Sequence, residues 1–195
     1  MVIQCLAVQM SRYRLSRMNA RPPHHGLALM SGMLAAAAII LRLYQNDSAV
    51  GVLFMTIMTG CMTLMTLTDA ASCRLPRPFT IMYLISGSAF RLWQGDWLTG
   101  LCSAGFWFLL LLLFRQYTSY RRKTETIGLG DVFLIAGIAI WSPPGDIPWI
   151  VATAAGGALL YLWCNRQRRI TRELPFGPFL CASQYAFTFY PGGLW

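Results

Sequence analysis

The sequence predicts an all-α membrane protein, a polytopic bundle of about seven transmembrane helices. Three observations carry that reading. Of 195 residues, 56% are hydrophobic and only 12% are charged, about half the charged share of a soluble domain. The apolar residues gather into seven stretches separated by short polar or basic segments. The basic residues then fall in alternate connecting segments, as the positive-inside rule requires of a chain that crosses a bilayer repeatedly.

Taken in order, residues 1–25 are expected to form a basic cytoplasmic N-terminal segment. Its first eleven residues are too short to span, and they lack the basic start and small-residue cleavage site of a signal peptide. Arg12, Arg14, Arg17 and Arg21 follow, closed by Pro22 and Pro23. The first span runs from about Leu27 to Tyr44, and the turn Gln45–Ser48 leads to a second from about Ala49 to Thr68, which Asp69 closes. The linker to Pro78 carries Arg74, Pro76 and Arg77. A third span covers about Phe79 to Trp93, and a fourth about Trp97 to Phe114, rich in leucine. Arg115, Arg121, Arg122 and Lys123 make a basic loop before the fifth span, Ile127 to Trp141. Pro143, Pro144 and Gly145 break the chain there. A sixth span, Ile147 to Cys164, precedes Arg166, Arg168, Arg169 and Arg172, and the last apolar stretch is about Phe176 to Tyr190.

Several stretches are shorter than the ~20 residues that cross a bilayer core as helix. Extension into adjoining loops, local thinning or burial inside the bundle accommodates them. Of the 16 Lys and Arg, all but Arg42 and Arg91 fall on one side in this arrangement. That puts the N-terminus in the cytoplasm. The net charge of +9 is thereby a topology signal with affinity for anionic lipid headgroups, and no nucleic-acid partner is expected. The six cysteines include no CxxC pair and are read as small buried hydrophobes. His24 and His25 have no ligands at metal spacing, so no metal and no cofactor are expected.

Two acidic residues then stand out. Asp131 follows Gly128-Leu129-Gly130 at the start of an apolar stretch, and Asp69 ends an earlier one. A carboxylate at a helix centre in a membrane costs about 3 kcal/mol, less near an end, and faces protein or water. One span ends and the other begins on the same side, so both aspartates lie at the cytoplasmic boundary. Paired carboxylates in a low-dielectric site cannot both ionise easily. One acts as base on a water that attacks a peptide carbonyl. The other stabilises the oxyanion and protonates the leaving amine. Neither HExxH nor GxSxG occurs. The bland alternative is that each aspartate merely interrupts or caps an apolar helix, Asp131 being favoured by the dipole at a helix start.

Three segments carry a resemblance. Asp69-Ala-Ala-Ser-Cys-Arg-Leu-Pro76 is similar to the first catalytic segment of the type IV prepilin peptidases, a GxGD class of membrane aspartic protease. Gly128-Leu-Gly-Asp131 resembles their GxGD motif, and Glu173-Leu-Pro-Phe-Gly-Pro-Phe-Leu180 their late IPFGPFL segment. The resemblance covers about residues 26–190 and marks 26–195 as a membrane-embedded peptidase domain. It implies Asp69 and Asp131 as the catalytic pair. It implies Gly128, Gly130, Pro76, Pro175, Phe176, Gly177 and Pro178 as residues that bind substrate or shape the site. The implied substrates are prepilin or pseudopilin precursors, cut where a short basic leader meets a hydrophobic helix, for a type IV pilus or protein secretion system. The implied location is the bacterial inner membrane. The chain departs from the pattern at Phe133, where many members carry Lys, and at Arg77, where Asn or Asp is usual. It also lacks the loop with paired CxxC motifs that is linked to N-methylation, so methyltransferase activity is not expected. Arg74, Arg121, Arg122 and Lys123 are read as topology charges. The signal-peptide-peptidase and presenilin group fits less well, since Thr68 rather than Tyr precedes Asp69. A non-catalytic assembly or transport protein retaining the scaffold is the alternative, because intramembrane acids also serve ion pathways. The sequence sets no oligomeric state.

Overall fold

The computed structural model describes residues 25–44, 48–72, 75, 77–122, 128–164 and 175–188. The N-terminal basic segment therefore lies outside the described residues, as do Pro76, Arg74 and Lys123. The described residues form seven helices and no strand: α1 His25–Tyr44, α2 Ala49–Ser72, α3 Arg77–Gln94, α4 Trp97–Arg122, α5 Leu129–Trp141, α6 Ile147–Cys164 and α7 Gly177–Thr188. Those within Ala49–Ala71, Trp97–Arg121 and Ile147–Cys164 are long and apolar enough to cross a membrane.

The helix ends differ from the sequence expectation in two places that bear on the site. Asp69 does not close α2, which runs three residues further to Ser72. Ala70, Ala71 and Ser72 are compatible with helix, and Asp69 is held by a partner outside it. Arg115 and Arg121 belong to α4 rather than to a loop. The helix carries on past its leucine run, and the side chains there, Tyr117 and Tyr120, are exposed.

At 13 residues, α5 is only about 20 Å long, too short to cross a 30 Å core alone. It does not have to, because Val132 and every residue from Leu134 to Trp141 are buried. A helix apolar all round belongs in the middle of a bundle, and α5 packs against α3, α4, α6 and α7. The outer helices show the reverse pattern. On α4, Leu98, Phe106, Leu109 and Leu113 are exposed, the surface expected against lipid. Cys102 and Cys164 are likewise exposed, whereas Cys61 and Cys181 are buried as expected.

Aromatic residues hold α5 in place. Trp141 stacks on Tyr83 and Phe90, with ring centroids 5.9 and 5.3 Å apart. Its indole N–H donates to the Tyr83 carbonyl at 3.1 Å. The Tyr83 hydroxyl donates to Gln184 Oε1 at 2.7 Å, so α3, α5 and α7 share one buried polar chain. Such bonds are what allow Trp and Tyr to be buried fully. The approach needs two glycines. A Cβ on Gly87 would meet Trp141 Nε1 at 2.7 Å, and one on Gly137 would meet Tyr83 Cδ1 at 2.6 Å.

The far end of α5 is closed by a charge. Arg91 is buried, and its Nε and Nη2 donate to the carbonyls of Ile140 at 2.8 Å and Ser142 at 3.1 Å. The last carbonyls of a helix lack partners within it, and a cation satisfies both the bonds and the dipole. Asp96 lies 3.5 Å from Arg91 Nη1.

Gly137→Ala is expected to destabilise the bundle by about 1–3 kcal/mol, since the Tyr83 ring has no room to retreat. Gly156→Ala, where a Cβ meets nothing within 4 Å, is the control and should leave the thermal unfolding midpoint in detergent near that of the parent.

Candidate active site

Asp69 reaches the site from the last turn of α2. That is an unfavourable place for a carboxylate, because a helix C-terminus carries partial negative charge. The side chain is only 4% exposed. Its compensation comes from α7, whose first residue, Gly177, donates its backbone N–H to Asp69 Oδ2 at 2.8 Å. The first N–H groups of a helix have no internal acceptor. The bond therefore satisfies a donor and an acceptor at once.

The local sequence explains why α7 begins there. Pro178 lacks an N–H, a loss without consequence in a first helical turn. The Phe176 carbonyl accepts from the N–H groups of Phe179 and Leu180 at 3.1 and 3.2 Å, and the Phe176 side chain packs against the main core. Gly177 itself admits no side chain. A Cβ there would stand 2.7 Å from Asp69 Oδ2 and 3.1 Å from its Cγ.

Asp131 comes from the first turn of α5, where Gly128 is the N-cap residue in extended conformation and offers no side-chain cap. Asp131 is half-buried, at the end of α5 that lies beside the linker following Asp69. Gly130 sets the height of this turn. A Cβ on it would lie 2.8 Å from Leu75 Cβ, so glycine lets α5 settle against the α2–α3 linker. A Cβ on Gly128 would meet Asp131 Oδ2 at 3.4 Å.

Asp69, Asp131, Gly128, Gly130, Phe176 and Gly177 thus gather at one end of the bundle, with Pro175 and Pro178 half-buried beside them. The helices that carry the two aspartates each pack against both α3 and α7. Arg91 and Ser142 mark the opposite end. Arg121 is exposed and turned to its own helix, its Nε donating to the Tyr117 hydroxyl at 3.3 Å.

Phe133 faces away from the pair. Two residues along a helix rotate the side chain by about 200°. Phe133 accordingly sits against Phe108 of α4 with ring centroids 5.2 Å apart. With Ala136 and Ile140 of its own helix it lines a cavity of about 550 Å³ between α3, α4 and α5. A lysine replaced at this position is not a charge lost from beside Asp131.

Sequence reasoning missed Leu75 and Cys181. Cys181 is buried one turn beyond Gly177, while Thr66 is bonded to the Met62 carbonyl of its own helix at 2.8 Å. Helical spacing held the signal, since Thr66 precedes Asp69 by one turn and Cys181 follows Gly177 by one turn.

The type IV leader peptidase family matches residues 56–163, a range that includes both aspartates. Two curated relatives are the prepilin leader peptidase/N-methyltransferases of Burkholderia pseudomallei strains 1026b and K96243. Each is 33% identical over 175 residues, covering 84% of this chain and 53% of its own length. The chain therefore spans about half the length of the curated relatives it matches. No solved structure matches it.

Gly130→Ala is expected to destabilise the chain, and Leu75→Gly in the same molecule to relieve the clash. A double-mutant cycle of thermal unfolding should show a coupling of about 0.5–3 kcal/mol between the two positions. Phe133→Leu should cost about 1 kcal/mol through the lost ring contact without coupling to Asp131→Asn in the same assay.

Proposed function

The chain belongs to the type IV leader peptidase family, and on that premise we propose that it is a membrane aspartic endopeptidase acting through Asp69 and Asp131. What supports the proposal is that separate helices bring these two carboxyls to one end of the bundle: Asp69 is bound to the start of α7, and the first turn of α5, which carries Asp131, lies against Leu75 in the linker that follows Asp69. One of them is anchored by a backbone N–H. Two enclosed carboxyls sharing one proton supply both a base for water and an acid for the leaving group.

The substrate is a prepilin or pseudopilin precursor. Its short basic leader lies in the cytoplasm and its hydrophobic helix in the inner membrane. The leader–helix junction therefore arrives at the membrane boundary, the depth at which the basic loops place both aspartates. The N-terminus of the enzyme is cytoplasmic in this arrangement. Gly128, Gly130, Phe176 and Gly177 shape the site, with Pro175 and Pro178 directing the chain around it; Pro76 joins them on the family pattern alone. The relatives' names include N-methyltransferase; peptide cleavage without methyl transfer is proposed for this chain, which lacks the CxxC loop. Phe133 lends no support to a non-catalytic role, because it lies on the opposite face of α5.

Co-expression with candidate precursors tests the proposal. Leader removal, read as a mobility shift and by mass spectrometry, is expected from the parent chain. Asp69→Asn and Asp131→Asn, each still inserted, should both lower cleavage by at least about a hundredfold. Undiminished cleavage by either variant rules out the pair.

A further inference from the structure

The two carboxyls are not held alike. Asp69 Oδ2 accepts the Gly177 N–H at 2.8 Å, which ties down one oxygen of the group and leaves Oδ1 as its other acceptor. Among the described residues, no hydrogen bond is directed at the Asp131 carboxyl, and the N-cap residue of its helix, Gly128, offers no side chain.

A pair of neighbouring carboxyls holds one negative charge far more readily than two. Where that charge rests depends on the groups around each member. Helix dipoles favour charge on Asp131: each carboxyl meets a helix start, α7 for Asp69 and α5 for Asp131, but Asp69 also lies in the last turn of α2. Burial favours charge on Asp131, the less enclosed of the two. The bond from Gly177 favours charge on Asp69, and it is charge-assisted only when Asp69 is a carboxylate. A directed, charge-assisted donor at 2.8 Å replaces the water that burial removed from that oxygen and is a stronger interaction than a helix terminus, so the bond outweighs the differences in exposure and dipole.

We propose that Gly177 divides the labour of the pair: it is a positioning residue whose N–H holds Asp69 as the general base, leaving Asp131 as the general acid. This rests on the peptidase reading. In the reaction, Asp69 takes a proton from water as the water oxygen bonds to the scissile carbonyl carbon. The protonated Asp131 donates a hydrogen bond to the oxyanion. As the C–N bond breaks, the Asp131 proton passes to the leaving nitrogen and the carbonyl re-forms on the leader's new carboxyl group. Transfer of the water-derived proton from Asp69 to Asp131 restores the starting state.

Infrared spectroscopy of the full chain in lipid nanodiscs at neutral pH reads the assignment directly, with the Asp69→Asn/Asp131→Asn double variant as baseline. The parent is expected to show the C=O stretch of one protonated carboxyl above that baseline, and Asp131→Asn to abolish it. Persistence of the band in Asp131→Asn, or its absence from the parent, overturns the assignment. Gly177→Ala supplies the second readout. It should shift the carboxylate stretch that Asp69→Asn removes, and lower kcat on the order of a hundredfold with little change in KM. An unshifted band with cleavage at the parent rate overturns the role of Gly177. Should Gly177→Ala fail to fold, carboxyl carbon-13 NMR of the parent, with each resonance assigned by its loss in Asp69→Asn or Asp131→Asn, decides which carboxyl holds the proton: a protonated Asp69 beside an ionised Asp131 overturns the assignment. Failure of the parent to cleave any precursor sinks the peptidase reading itself. Cleavage together with a band that survives in Asp131→Asn sinks only the division of roles.

Discussion

The bond between the Gly177 N–H and Asp69 joins the end of one helix to the start of another, and the rest of the site is arranged around it. A carboxylate in the last turn of α2 meets an unfavourable dipole and almost no water. The exposed donors at the start of α7 offset both. For that to happen α7 has to begin at the depth of Asp69, which the proline on each side of Phe176-Gly177 enforces. It also has to begin without a side chain, because a Cβ at Gly177 would occupy the space of the carboxyl. A motif that reads in sequence as a helix break is, in three dimensions, the partner of a buried acid.

The same economy governs α5. It is too short to cross a membrane and nearly all of it is buried, so its stability comes from its neighbours. Glycines at 87, 130 and 137 let those neighbours approach to contact distance, and Trp141 and Tyr83 supply the bonds that an apolar core otherwise lacks. Tight packing on every side is also what gives Asp131 a defined place opposite Asp69.

Much of this was legible in the sequence. Hydrophobic stretches gave the helices, and the alternation of basic segments placed Asp69 and Asp131 on one side although they lie far apart in the chain. Other features were not legible. Nothing in the residues after Asp69 says whether α2 stops or continues, because alanine and serine suit either state and the decision rests with α7. Gly130 was marked as part of a motif, yet its contact is Leu75, a residue with no signal of its own. Phe133 looked like a departure at the site until the helix placed it on the opposite face. Arg91 looked like a lone charge near a membrane boundary, and its role depends on carbonyls that only the folded helix brings to it.

Arg91 also makes the two ends of α5 unequal. At the far end, a buried guanidinium grips two carbonyls. At the near end, the helix rests on Leu75 by van der Waals contact and has no side-chain cap. The hydrogen bonds at the clamp fix the helix at one end, and packing alone sets its position at the other. Asp131 lies about 14 Å from Ile140 along the helix, so a tilt of about 5° carries it through roughly 1 Å. In a site of the kind proposed, that is the scale on which the alignment of reacting groups is gained or lost. The arginine at the far end of α5 thus supplies the fixed point from which the placement of Asp131 is measured.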